Sequence, residues 1–228
     1  MRLVELTNGG GVRVDVAHTI RRAHVNDNWP SHTVRNPMRE EFWPGAIAQI
    51  KAQYPGALFI AETVNEETEA LQGLGMDLTY DFDLHELLMP EDPMQRRLAE
   101  ELGLVREAPR ESQAARIMAH LTGMSPDTSR RALRFLENHD VPPHSRIVSL
   151  MGRQQQQAAA VVIAAMAPGA VMLYHGQDIG ASTSKPTAII LAPHDPSSEA
   201  VDPALQTFYR TLLVKTKQPL FRFADVRR

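Results

Sequence analysis

Short apolar runs alternate with longer stretches of helical spacing along the 228 residues. Five runs read as buried strands, over 12–16, 57–61, 76–80, 133–136 and 170–174. Each is brief, apolar or β-branched, and bounded by Gly, Pro or polar residues. Between them the apolar positions recur every three or four residues. In 39–53, Phe42, Ala46, Ile47 and Ile50 share one helical face, and Pro55 and Gly56 stop the helix. Further helices are predicted over 93–102, 111–121, 154–166 and 202–215, the last with Asp202 as N-cap and Pro203 in its first turn. The Gln run at 154–157 reads as the first turn of a helix, and 181–203, rich in Ser, Pro and Asp, reads as a loop. Strand–helix–strand alternation predicts a parallel sheet covered by helices. An open doubly wound sheet and part of a (β/α)8 barrel both fit, and five strands are too few to close an eight-stranded barrel.

Polar residues gather at the ends of these strands. VRVDV carries Arg13 and Asp15, ALFIAE ends in Glu62, LRFLENHD ends in Glu137, Asn138, His139 and Asp140, and VMLYHGQD ends in His175, Gln177 and Asp178. A charge in or just after a buried strand costs several kcal/mol unless it is paired or functional. Parallel α/β sheets place their sites at the carboxyl ends of the strands. Asp15, Glu62 and Asp140 are therefore expected to converge on one rim. Three such acids could hold a divalent cation through oxygen ligands. They could also cleave a glycosidic bond, one carboxylate as nucleophile and another as proton donor, about 5–5.5 Å apart in the retaining case. Taken singly, each has a plainer reading. Asp15 beside Arg13 could be a structural ion pair, Glu62 could sit at a helix N-terminus, and ENHD could be a polar turn.

Composition narrows the classes. Hydrophobic residues make up 43% and charged residues 22%, as in a globular protein that buries its own core. A net charge of −3 gives no basic field, so neither nucleic acid nor an anionic membrane is an expected partner. The absence of Cys excludes disulfides, thiolate metal sites and cysteine catalysis. The longest apolar stretch, 158–173, is broken by Pro168 and Gly169 and falls short of the ~20 residues that span a bilayer. MRLVELTNGG has no apolar signal region, so a cytoplasmic location is expected. NGGG at 8–11 precedes a strand and so is not a phosphate cradle, and Gly73-x-Gly75 lacks a third Gly. His85-Glu86 opens like a zinc-protease helix but meets Met89 where the second His belongs. The Met and Ala stripe at 158–172 reads as core packing, and Arg96-Arg97 and Arg130-Arg131 as solvated helix faces.

The motifs together resemble a known family. GVRVDVAH (11–18) resembles the segment of the alpha-amylase family, glycoside hydrolase family 13, that carries an Arg and an Asp two residues apart. FIAET (59–63) resembles its proton-donor strand, FLENHD (135–140) its N-H-D segment, LYHGQDIG (173–180) the turn after its last strand, and FYRTLLVKTKQPL (208–220) the helix that closes its barrel. The matches fall in the family's order. The resemblance implies a partial (β/α)8 TIM barrel of about five parallel strands with covering helices. Residues 1–228 would be its C-terminal portion, strands four to eight, with the N-terminal strands and the trailing β-domain absent. It implies Asp15 as nucleophile, Arg13 as the residue that orients it, Glu62 as general acid/base, Asp140 as the third acid gripping sugar hydroxyls, and His139 as a hydrogen-bond donor to the sugar. The chemistry fits: Asp15 beside Arg13 stays ionised, while Glu62 has no cation beside it in the sequence and can hold a proton.

The activity so implied is a retaining glycoside hydrolase or glucanotransferase acting on α-linked glucosides, with an α-glucan or oligosaccharide substrate. No cofactor is expected. Calcium is included in that, because nothing in the chain resembles the D-x-x-x-N-H segment that supplies the family's calcium-ligand Asn. Asp178 stands where the family has Glu. The alternative is a truncated, non-catalytic half-barrel that needs a partner or is inactive, its open sheet edges offering a route to self-association. A metal-dependent acid cluster on an open sheet is a third reading, less suited to acids interleaved with Arg13 and His139.

Overall fold

Where backbone N–H groups find side-chain acceptors, the predicted strands stop early. The computed structural model describes residues 9–28, 38–90, 101, 111–141, 145–183 and 199–219. Its strands are β1 (Gly11–Val14), β2 (Leu58–Ala61), β3 (Leu78–Tyr80), β4 (Ala132–Arg134) and β5 (Ala170–Val171). They are parallel and follow chain order, β1-β2-β3-β4-β5. The helices are α1 (Arg22–Asn28), α2 (Phe42–Gln53), α3 (Thr68–Gly73), α4 (Phe82–Leu88), α5 (Gln113–Gly123), α6 (Pro126–Arg130), α7 (Ile147–Ala165) and α8 (Pro203–Thr216). The helix expected over 93–102 lies outside the described residues apart from Glu101, as does most of the 181–203 loop. No described helix is long and apolar enough to cross a membrane. The chain divides into two compact units, Met1–Phe82 with Pro126–Leu133, and Asp83–Ser125 with Arg134–Arg228.

In the first unit β1 pairs with β2 from Gly11 opposite Leu58 to Val14 opposite Ala61. β2 pairs with β3, and β3 with the start of β4. β1 ends at Val14 rather than at residue 16. Val16 turns into the left-handed region (φ 42, ψ 50), and its N–H donates to Glu62 Oε2 at 3.0 Å. β3 starts at Leu78 rather than at residue 76. The carboxylate of Asp77 accepts the Phe59 N–H at 2.8 Å, a donor the ladder would otherwise use. The core here gathers Ala17, Trp43, Ile47, Phe59, Ala61, Leu71 and Met76, and Trp43 Nε1 donates to Ala17 O at 2.9 Å. Gly11 is required where β1 meets β2: its φ is 110°, and a Cβ there would stand 2.0 Å from Leu58 O. Gly11→Ala is expected to cost roughly 1–3 kcal/mol in urea denaturation, since the ladder must shift to admit the methyl.

In the second unit α7 begins at Ile147, well before the predicted residue 154, because Glu137 accepts the Ile147 N–H at 3.0 Å. Gly152 (φ 72, ψ 165) interrupts it, and the uninterrupted helix beyond matches the prediction. Ser112 caps α5, accepting from Ala115 N at 3.2 Å, so that helix starts two residues late. Asp202 caps α8 as expected, accepting from Ala204 and Leu205 N–H at 3.0 Å each, with Pro203 following. β5 is shorter than its apolar run: Met172 N–H still donates to Arg134 O at 2.8 Å, and beyond it the Gln177 side chain takes the Tyr174 N–H at 3.4 Å. Leu84, Leu121, Leu136, Ile147, Ala160, Ile163, Leu205 and Tyr209 build this core. His85 lies buried in it, stacked on Phe135 with ring centroids 5.0 Å apart.

The Tyr209 hydroxyl is buried among amides, accepting from Gln156 Nε2 at 3.1 Å and Gln177 Nε2 at 2.9 Å. Burial pushes its pKa above the ordinary 10.0, against the pull of those two donors. The folded state therefore holds this proton more tightly than the unfolded chain. That contribution to stability is complete below pH ~10 and is lost as pH rises beyond it. Tyr209→Phe is expected to flatten this alkaline decline in thermal melts. It should also cost about 1–3 kcal/mol at neutral pH, because the amide donors lose their acceptor.

Candidate functional site

The first unit brings three of the sequence-predicted residues together. Val14 and Ala61 are register partners and the last residues of β1 and β2, so Asp15 and Glu62 leave the sheet side by side at its carboxyl end. Arg13 joins them. Its Nη1 pairs with Asp15 Oδ1, and its Nη2 lies 2.7 Å from Glu62 Oε1. Glu62 thus meets a cation that its sequence neighbours do not supply, and the expectation that it stands apart from one is corrected. The pairing register carries Arg13 to Glu62, because parallel neighbours come from distant parts of the chain. Glu62 is anchored further by the Val16 N–H on Oε2 and by backbone bonds from Glu62 N to Val14 O (3.0 Å) and Ala17 N to Glu62 O (2.9 Å). Val16 is the sole non-glycine residue with positive φ among the described residues. This strain, costly for a β-branched side chain, aims its N–H at Glu62.

Asp15 has 73% of its side chain exposed, against 14% for Glu62. One carboxylate therefore faces solvent while its neighbour is held back. Burial works against the Arg13 charge, but hydrogen bonds to Tyr80 and Asp15 and the Glu62 charge outweigh it and raise the guanidinium pKa. The Tyr80 ring also lies under the Arg13 guanidinium, 5.7 Å from its carbon. A second polar group sits behind this rim. His18 Nδ1 and Thr63 Oγ1 share a hydrogen bond at 3.3 Å, and the His18 and His24 rings stand edge to face at 5.2 Å. His24 Nε2 meets Glu67 Oε1 at 3.2 Å, and Arg21 pairs with Glu67. Burial lowers the His18 pKa first, and the charges of His24 and Arg21 add to that against an upward pull from Glu62.

The second unit brings His139 and Asp140 together just past the carboxyl end of β4. His139 Nε2 lies 3.0 Å from Asp140 Oδ2, and both side chains are half exposed. Asn138 Oδ1 accepts the N–H groups of Asp140 and Val141, each at 2.8 Å, and so closes the turn that presents them. Glu137, with none of its side chain exposed, is paired with Arg146. The Tyr174 ring lies 5.3 Å from the Arg146 guanidinium carbon and packs on the His175 ring at 4.5 Å. Burial raises the Tyr174 pKa, the Arg146 charge opposes it, and Glu137 and Asp140 add to the rise.

Tyr80, Arg146 and Tyr174 were not singled out from sequence. Tyr80 and Tyr174 read there as apolar strand residues, and Arg146 follows a Pro-rich loop without a local motif. Among the described residues, no three His, Asp or Glu side chains are grouped as a metal ion requires.

Parallel strands joined through helices, with acids and their cationic partners just beyond the carboxyl ends, define a partial (β/α)8 barrel. The family profile described as the alpha amylase catalytic domain matches residues 3–214, and the chain belongs to that family. Similar solved structures include a Nostoc punctiforme debranching enzyme, at 17% identity and TM-score 0.66, over 99% of this chain and 44% of that one. A cyclic α-maltosyl-(1→6)-maltose hydrolase from Arthrobacter globiformis is similar at 20% identity and TM-score 0.59, over 93% of this chain and 41% of that one. A cyclomaltodextrinase is similar at 18% identity and TM-score 0.63, over 98% of this chain and 33% of that one. The chain thus spans less than half the length of these structures. A search of curated proteins gave no match.

Proposed function

We propose that this chain carries the catalytic residues of a retaining enzyme acting on α-linked glucosides, by hydrolysis or by transfer to another sugar. The observation that supports the proposal is the Arg13 guanidinium shared by Asp15 and Glu62, which brings two carboxylates to one cation at the carboxyl ends of β1 and β2. Exposed Asp15, oriented by Arg13, attacks the anomeric carbon. The bond to the leaving oxygen breaks as Glu62, the general acid in this reading, gives that oxygen a proton. In the second step water, or a sugar hydroxyl, attacks the same carbon, gives a proton to Glu62 and frees the Asp15 carboxylate. Asp140 and His139 grip the sugar hydroxyls and favour the distorted ring. The substrate class is supported by family membership and by relatives named for maltosyl-maltose and cyclomaltodextrin. Residues 1–228 would then correspond to barrel strands four to eight.

The test is proton NMR of a maltooligosaccharide incubated with the full chain. Newly formed reducing ends should appear first as the α-anomer. Initial β-anomer would overturn the retaining assignment, and absence of any cleavage or transfer would overturn the activity. A second reading is that this stretch assembles with a partner or a second copy and does not turn over alone. Size-exclusion chromatography and glucan hydrolysis on one sample separate the two, and an active monomer excludes the second.

A further inference from the structure

A buried ion pair at the base of the His139–Asp140 loop has no part in the chemistry above. Glu137 and Arg146 are 0% and 2% exposed. Arg146 donates through Nε to Glu137 Oε2 at 3.3 Å and through Nη2 to Oε1 at 3.0 Å, and the Ile147 N–H adds a third bond to Oε2 at 3.0 Å. Glu137 directly precedes Asn138, His139 and Asp140, so the pair fixes the point from which those residues leave β4. The same guanidinium reaches a second loop. Nη2 donates to His175 O at 2.7 Å, and the guanidinium carbon lies 5.3 Å from the centre of the Tyr174 ring. Gly176 makes the approach possible: its φ is 79°, and a Cβ there would stand 3.3 Å from Arg146 Nη2 and 2.7 Å from the Ala181 Cβ.

We propose that Arg146 is a positioning residue that locks the His139–Asp140 loop after β4 and the Tyr174–His175 turn after β5 into a single geometry. The inference rests on the reading of Asp140 and His139 as sugar-gripping residues. Stability alone is a weak account of the pair, because well-packed apolar residues of similar volume often replace such pairs without loss. A planar fork with a third acceptor does what an apolar pair cannot, since it admits one arrangement of three backbone segments.

The experiment compares the full-length wild type with Arg146→Lys and with the double variant Glu137→Leu/Arg146→Met. The double variant removes both charges and keeps the volume. Hydrogen exchange is followed in peptides covering 135–146 and 172–183, with 57–63 as control, beside thermal melts and kinetics on a maltooligosaccharide. Both variants should melt cooperatively. Exchange should speed up at least about tenfold in both loop peptides and stay unchanged in the control. kcat and kcat/KM should fall together by about a hundredfold, the effect of a reacting group displaced by about 1 Å. Unchanged exchange in the loops overturns the proposal, as does a change confined to one loop. Loss of cooperative melting in the double variant assigns the pair to stability and overturns it too. A wild type without turnover defeats the glycosidase reading, while the exchange comparison still decides the role of Arg146.

Discussion

Asp15→Asn is expected to lower kcat on a maltooligosaccharide on the order of 10⁴-fold, with a melting temperature close to wild type. The amide keeps the shape of the side chain but offers no anionic oxygen to the anomeric carbon, so the first covalent step is lost. Folding should hardly register the change. Asp15 is 73% exposed, and exposed ion pairs contribute only about 0–1 kcal/mol. Arg13 keeps its contact with Glu62 in the variant. Steady-state kinetics and calorimetric titration on one preparation check this, with turnover gone and sugar binding kept. Wild-type turnover in the variant would remove Asp15 from the nucleophile role and the retaining mechanism with it.

Arg146→Ala is expected to lower the unfolding free energy by about 3–5 kcal/mol, read from urea denaturation. The truncation leaves the Glu137 carboxylate inside the second unit with the Ile147 N–H but without its cation. Such a group costs far more than the pair contributed while intact. Glu137→Leu/Arg146→Met should recover most of the loss, since no uncompensated charge remains. The contrast between the two variants is the signature of an uncompensated buried charge. A small effect of Arg146→Ala would mean that water reaches Glu137 readily, against its complete burial.

The sequence alone determined which charged residues stand at the strand ends. Asp15 and Glu62 stand out because a carboxylate in or beside an apolar, β-branched run costs several kcal/mol unless it is paired or functional. Parallel strands order their carboxyl ends on one rim whatever the loops do. The Asp202 cap, the α2 stop and the order of the five strands were legible for the same reason. Each depends on residues within a few positions of one another, and local sterics and burial write those into the chain directly. Strand lengths were less legible, because side chains of Asp77, Glu62 and Gln177 intercept backbone donors that a ladder would otherwise use.

Tertiary structure alone decided who pairs with whom. Arg13 reaching Glu62 as well as Asp15, Tyr80 under that guanidinium, and Arg146 spanning Glu137 and His175 all depend on which segments the fold sets side by side. Charge and hydrogen bonding act over a few ångströms of space and take no account of separation along the chain. Sequence therefore names the charged groups at the strand ends, and the register of parallel strands selects their partners.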